Sequence, residues 1–271
     1  MTNSETTTAP YTGIDDLTLS LDDGVLSMTL NRPDSLNSLT VPMFDTITST
    51  MEQAATDARV RVVRFAGAGR GFSSGAGIGA DEQAGAIDSP DDVLAAVNRA
   101  VRSIVALPKP VVSVVQGPAA GVGVSFALAG DVILASERAY FLLAFTKIGL
   151  MPDGGASALV AASIGRTRAM RMALLAERLT ATDALAAGLI SAVHPADQLD
   201  AAVDAVIATL KSGPAVALRK TKQAINAATL TELEPAFERE AEGQVQLLVS
   251  HDFREGTKAF QQRRAATFTD D

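Results

Sequence analysis

The stretch GLMPDGGAS, residues 149–157, sets a single carboxylate, Asp153, between a proline and two glycines, with long apolar runs on both sides. Apolar surroundings remove the water that stabilises a carboxylate's charge. Its pKa therefore rises toward the range where it can both take up a proton and return it. An aspartate ahead of a segment such as ASALVAASIG can also serve as a helix N-cap. Gly154 and Gly155, poor helix formers, argue that the segment is not tuned for helix stability alone. Two glycine-rich loops, Ser73-Ser74-Gly75-Ala76-Gly77 and Gly121-Val122-Gly123, each follow a strand-like run. One backbone N–H from each loop would make an oxyanion hole for a carbonyl turning into an enolate, helped by the positive end of a helix. The same glycines would equally permit tight turns and close packing.

Gly71-Phe72-Ser73-Ser74-Gly75 also fits the G-x-S-x-G nucleophile elbow, and Ser73, Asp153 and either His194 or His251 follow in hydrolase order. An elbow must lead straight into a helix, however, and AGIGADEQAGAID after it is glycine-rich and poorly periodic. The two histidines stand far apart without ligand spacing, so no metal site is expected. The absence of cysteine removes disulfides, a thiol nucleophile and thiolate metal ligands, and makes a reducing, cytoplasmic setting the expectation.

The elements that must hold these groups follow from composition and pattern. The 271 residues suffice for one large domain with a full core, at 47% apolar and 20% charged. A net charge of −8 argues against nucleic acid as a partner. No Lys or Arg precedes Arg32, so no signal peptide is expected, and residues 1–13 read as a disordered tail. The uncharged run Pro110–Gly130 is interrupted by Gly117, Pro118, Gly121 and Gly123; it reads as a buried strand, turn and helix rather than a membrane span.

LTLSLDDGVLSMTL alternates about Asp23-Gly24 and predicts a hairpin. Residues 40–58 carry apolar positions at helical spacing, and VRVVRFAG is a strand. Ser89-Pro90-Asp91-Asp92 is a strong helix start, with the helix reaching about Leu107. KPVVSVVQG, PAAGVGVSFALAG and DVILAS read as strand, helix, strand, which predicts α/β units with parallel pairing. Beyond Asp197 only helices are expected, over 198–210, 214–227, 232–249 and 252–264.

Five segments in order, NRPDSLNSL, GRGFSSGAGI, KPVVSVVQGPAAGVGVSFALAGDVILASERAYF, KIGLMPDGG and EGTKAFQQRRAATF, resemble the crotonase (enoyl-CoA hydratase/isomerase) superfamily. The resemblance spans almost the whole chain. It implies an α/β fold with a ββα spiral core over residues 14–196 and a helical C-terminal region over 197–271 that drives association into a homotrimer or a dimer of trimers. It also implies an acyl-CoA thioester as substrate, no cofactor beyond the coenzyme A of that thioester, and no membrane partner. The N–H groups of Ala76 and Val122 fall where the family forms its oxyanion hole, and valine narrows a position commonly held by glycine. The adenosine end of coenzyme A is placed near Leu36, Ser38, Ser74 and Ile78, with Arg263 at the family's basic position.

Two departures decide the chemistry the resemblance implies. The family's hydratases use two glutamates to activate and deliver water; here those positions are Ser125 and Phe145. A phenyl ring does no acid–base work, and a serine hydroxyl without an activator is a poor base. The surroundings of Asp153 resemble instead the isomerase branch typified by the ring-epoxide isomerase of phenylacetate breakdown, whose PD-x-G aspartate transfers the proton. Asp153 is thus the expected shuttle in an enoyl-CoA isomerase, with apolar Phe141, Val124 and Phe145 favouring an acyl chain or ring. The alternatives are a hydratase-like lyase with another base, a non-catalytic acyl-CoA-binding homologue, a dehalogenase-like hydrolase lacking the histidine it would need after Gly77, and the serine hydrolase.

Overall fold

A computed structural model describes residues 10–77 and 89–269. The predicted hairpin forms β1 (Leu17–Asp22) and β2 (Val25–Leu30), antiparallel, around a turn in which Asp23 and Gly24 both have positive φ, at 43° and 82°. That turn matches the right-handed twist of the two strands. From β2 onward every pairing in the main sheet is parallel: β3 (Val62–Gly67), β4 (Val111–Val115), β6 (Val132–Ser136) and β9 (Ala192–His194). The order is β1-β2-β3-β4-β6-β9. All five residues of β4 are buried, as a central parallel strand covered on both faces requires.

One face of the sheet carries the main core. There α1 (Val41–Thr56) and α2 (Pro90–Ala106) pack together, burying Met43, Ile47, Met51, Val97, Val101 and Ile104. Helix α2 starts as its sequence predicts, with Ser89 and Asp92 forming a reciprocal capping box. Val62, Ala66, Val112, Val114 and Leu134 line the opposite face and are covered by Leu199, Val203 and Ile207 of α6 (Leu199–Ser212).

Between β4 and β6 the chain leaves the main sheet. Short β5 (Ala119–Ala120) joins β7 (Tyr140–Leu142) and β8 (Leu179–Thr180) in a second sheet. Helix α3 (Val122–Leu128) follows β5 and is buried throughout. The uncharged run Pro110–Gly130 is therefore strand, turn and helix, and among the described residues no single helix is long and apolar enough to cross a membrane. Helix α4 (Ala156–Leu175) is broken at Gly165. After α5 (Ala181–Ala187) and α6 come α7 (Ala215–Thr229), α8 (Leu233–Leu248) and α9 (His251–Gln261), within a few residues of the helices expected from the sequence.

Candidate active site

An aromatic cluster fixes the two glycine-rich loops. Phe126 of α3 stacks on Phe44 of α1 at 5.6 Å and meets Phe65 of β3 edge-on, while Phe72, just before the first loop, also meets Phe65 edge-on at 5.3 Å. Such pairs add about 1 kcal/mol each beyond the area they bury. Asn37, fully buried, donates from Nδ2 to the carbonyls of Gly71 and Ala68 at 2.8 and 2.9 Å. Ser73 joins the loop through a parallel bridge to Ala119.

The loops meet closely. Gly75 has φ +93°, and a Cβ there would lie 2.8 Å from the Ala120 carbonyl and 3.4 Å from the Val122 nitrogen, so only glycine lets the chains approach this far. Leu39 bridges Ala76, donating to the Gly75 carbonyl at 2.8 Å and accepting from the Gly77 N–H at 3.4 Å. This pattern turns the Ala76 N–H away from Leu39. Among the described residues it meets no acceptor. Val122 opens α3, so its N–H has no acceptor within the helix. The Gly121 N–H, by contrast, is taken by the Leu142 carbonyl at 2.9 Å.

The turn bearing Asp153 packs on the start of α3. A Cβ on Gly154 would meet Val122 Cγ2 at 2.7 Å and Ser125 Oγ at 3.3 Å. Ser125 Oγ donates to the Asp153 carbonyl at 3.0 Å. Asp153 is not the N-cap of α4: that place belongs to Gly155, with φ 77° and no side-chain cap. Instead Glu240 of α8 accepts from the N–H groups of Gly155 at 2.6 Å and Ser157 at 2.8 Å, capping the helix from across the fold. Gln244, one turn further along α8, donates to Asp153 Oδ2 at 2.8 Å. Asp153 Oδ1 lies out of contact with water and has no hydrogen-bond partner among the described residues. A buried orphan carboxylate oxygen of this kind is costly.

Burial pushes the Asp153 carboxyl up to about 7; the Gln244 hydrogen bond pulls the other way, and the charge of Glu240 adds to the rise. Burial likewise raises Glu240, opposed by the N–H groups of Ser157 and Gly155.

Of the other residues singled out in the sequence, Leu36, Ser38 and Ser74 come together. Ser74 donates through N–H to the Leu36 carbonyl and through Oγ to the Ser35 carbonyl, both at 2.8 Å. Ser38 Oγ accepts from Arg32 at 2.7 Å. Ile78 lies outside the described residues. Arg263, just past α9, is exposed with φ 54°, and its side chain forms no ion pair among the described residues. Phe145 is buried, its ring reaching toward Gly121, whereas Val124 and Phe141 are wholly enclosed in the core. Ser73 is wholly buried, donating to the Asn37 carbonyl at 2.9 Å and accepting from the Gly75 N–H, so it holds the loop and is no nucleophile. Among the described residues no cluster of histidines and carboxylates could hold a metal ion.

Glu240 and Gln244 were not expected from sequence. Their signal lies in the pattern of α8, where the buried stripe Leu233, Ala236, Phe237 continues onto Glu240 and Gln244. Polar residues that prolong an apolar helix face must find partners inside the protein.

Among the described residues the Ala76 N–H meets no acceptor, the Val122 N–H has none within its helix, and Asp153 Oδ1 is unpartnered on a turn that packs against the start of α3. The chain matches the enoyl-CoA hydratase/isomerase family model over residues 20–271. It belongs to that family, within the crotonase superfamily, and it is an enzyme of the hydratase/isomerase type. It is 36% identical to the 1,2-epoxyphenylacetyl-CoA isomerase of Escherichia coli K12, covering 92% of this chain and 96% of that one. A probable enoyl-CoA hydratase of Rhodobacter capsulatus is also 36% identical over the same shares. Among solved structures, an enoyl-CoA hydratase from Mycobacterium avium subsp. paratuberculosis K-10 is 65% identical with TM-score 0.89, covering 95% of this chain and all of that one. The architecture is thus the crotonase fold, with its helical C-terminal region.

Proposed function

We propose that the protein is an enoyl-CoA isomerase in which Asp153 carries the proton. The thioester carbonyl accepts from the N–H groups of Ala76 and Val122. Ionised Asp153 removes a proton from C2, and the electron pair delocalises onto the carbonyl oxygen as a dienolate. Protonated Asp153 then returns the proton at C4, and the double bond moves from C3–C4 to C2–C3. No water is consumed and no other group changes charge, so no cofactor is needed beyond the coenzyme A of the substrate. The observation that carries this reading is the buried, unpartnered Oδ1 of a carboxylate held at about 7 beside the start of α3. A base with that pKa is well matched to giving the proton back near neutrality.

Ser125 and Phe145 support the isomerase over a hydratase, since the serine is spent on a backbone carbonyl and the phenyl ring is apolar. The Leu36, Ser38 and Ser74 loops, with Ile78, hold the adenosine end of coenzyme A, and Arg263 supplies a positive charge for a phosphate. The exposed apolar side chains of Met170, Leu174 and Leu175 on the second half of α4 support self-association, as a trimer or dimer of trimers. The test is to incubate purified protein with a 3-enoyl-CoA and follow the absorbance of the conjugated product. Wild type should convert it, and Asp153→Asn should lose about a thousandfold in kcat. Equal activity of the two proteins removes Asp153 from the mechanism. Binding of acyl-CoA without turnover by wild type makes the chain a thioester-binding homologue.

A further inference from the structure

We propose that Gln244 is a positioning residue that assigns the two oxygens of Asp153 their roles, occupying Oδ2 so that Oδ1 alone carries the proton. This rests on Asp153 being the shuttle. Gln244 is held by both ends of its amide: Oε1 accepts from the Met151 N–H at 3.1 Å, and Nε2 donates to the Met151 carbonyl at 2.9 Å and to Asp153 Oδ2 at 2.8 Å. That pairing with both Met151 backbone groups fixes which end of the amide faces Asp153. An amide facing the other way would set its oxygen against the carboxylate.

Helix α8, which supplies Gln244, is itself tied down. Arg102 of α2 makes a bidentate pair with Glu234, at 2.8 and 2.6 Å, and lies over the Phe237 ring at 5.0 Å. Glu240 grips the Gly155 and Ser157 N–H groups on the other side of Asp153. The carboxylate thus sits between two side chains of one helix face, and one of its oxygens is left free.

Among the described residues the charged groups around Asp153 are few. Glu240 faces it from α8, and Glu240 is near Arg239, itself paired with Glu232 at 3.1 Å. The packing residues from α2 and α3 are Val97, Val122 and Ser125, all uncharged, and Asp252 abuts Gly149 at the far end of the turn. Gln244 is therefore the group whose loss should most directly raise the affinity of Asp153 for its proton.

The test measures the pH dependence of kcat/KM for a 3-enoyl-CoA, and in parallel the infrared titration of the Asp153 carboxyl, assigned by its loss in Asp153→Asn. Gln244→Met removes the donor. Gln244→Glu keeps the acceptor for the Met151 N–H and adds a negative charge. Thermal unfolding of each variant shows that it is folded. In wild type the acid limb of kcat/KM should lie at about 7. It should rise by about one pH unit in Gln244→Met, the worth of a hydrogen bond to an ionised group. It should rise further in Gln244→Glu, where two carboxylates share the site. Unchanged limbs and infrared midpoints in both variants overturn the proposal, as does a loss confined to KM or to thermal stability. If the infrared midpoints rise while wild type turns over no 3-enoyl-CoA, the placement by Gln244 holds and the isomerase reading falls.

Discussion

Burial pushes the carboxyls of both Asp131 and Asp153 up, yet they are treated in opposite ways. Asp131 accepts from the Val111 N–H at 2.7 Å and from Lys222 Nζ at 2.9 Å. Lys222 spends its other donors on the carbonyls of Ile104 and Lys109. Both bonds end on Asp131 Oδ2, the other oxygen is not among the buried unpartnered atoms, and the pair ties α7 to the sheet. Asp153 receives one amide donor, keeps one oxygen unpaired, and has another carboxylate, Glu240, for a neighbour. A carboxylate needed only for architecture is given a cation. One proposed to carry a proton is denied it, because a fixed counter-ion would hold it ionised. The local incompatibility at Asp153 fits the proton-transfer role proposed for it.

The sharpest way to test this contrast is stability against pH. Asp153 titrates at about 7 in the folded chain, against an ordinary value of 3.8. Between those values the folded protein holds a proton that the unfolded chain has released. Stability is therefore greatest below the lower value and falls as pH rises through the upper one, by up to about 4 kcal/mol. Asp153→Asn cannot ionise and should lack this fall. At about pH 8 it should be more stable than wild type in urea unfolding, and the gap should close on acidification toward the ordinary value. A variant that tracks wild type at every pH would mean that Asp153 is no more strained than Asp131.

The paired site should respond in the reverse sense. Lys222→Met leaves Asp131 without its cation, and removing one member of a buried pair typically costs 3–5 kcal/mol. The Asp131 side chain is 22% exposed, which places the loss near the lower bound, about 3 kcal/mol. The loss should shrink on acidification as Asp131 takes up a proton. The acid limb of kcat/KM should stay where it is in wild type. A shift of that limb would mean that the two carboxylates are coupled, and the contrast between them would fail.

The sequence made Asp153 conspicuous but not its partners. The turn was legible because proline, aspartate and two glycines lie side by side, and the hairpin at Asp23-Gly24 and the cap at Ser89 are equally local signals. The parallel strands and the C-terminal helices follow from period and order alone. The contact from Gln244 to Asp153 spans 91 residues, and no local pattern encodes a pairing across such a distance. Within α8 a glutamate and a glutamine one turn apart look like a solvated face until the helix is docked. The same limit explains the cap of α4: Asp153 is the residue type that caps helices, but a carboxylate from α8 has taken the work over. The second sheet escaped notice because β5 and β8 are two residues each, too short for alternation to show.

Ser125 gives the smallest expected effect and the finest test of the contrast. Its hydroxyl touches the backbone carbonyl of Asp153 at 3.0 Å and not the carboxylate, so it holds the turn without tuning the charge. Ser125→Ala removes one neutral hydrogen bond, worth about 1 kcal/mol, from a wholly buried position. Thermal unfolding should register that loss, while the acid limb of kcat/KM stays at about 7. A limb that moved with Ser125→Ala as far as with Gln244→Met would show that any slackening of the turn alters Asp153. The carboxylate would then owe its proton affinity to the rigidity of the 149–157 segment as a whole rather than to the one amide aimed at Oδ2.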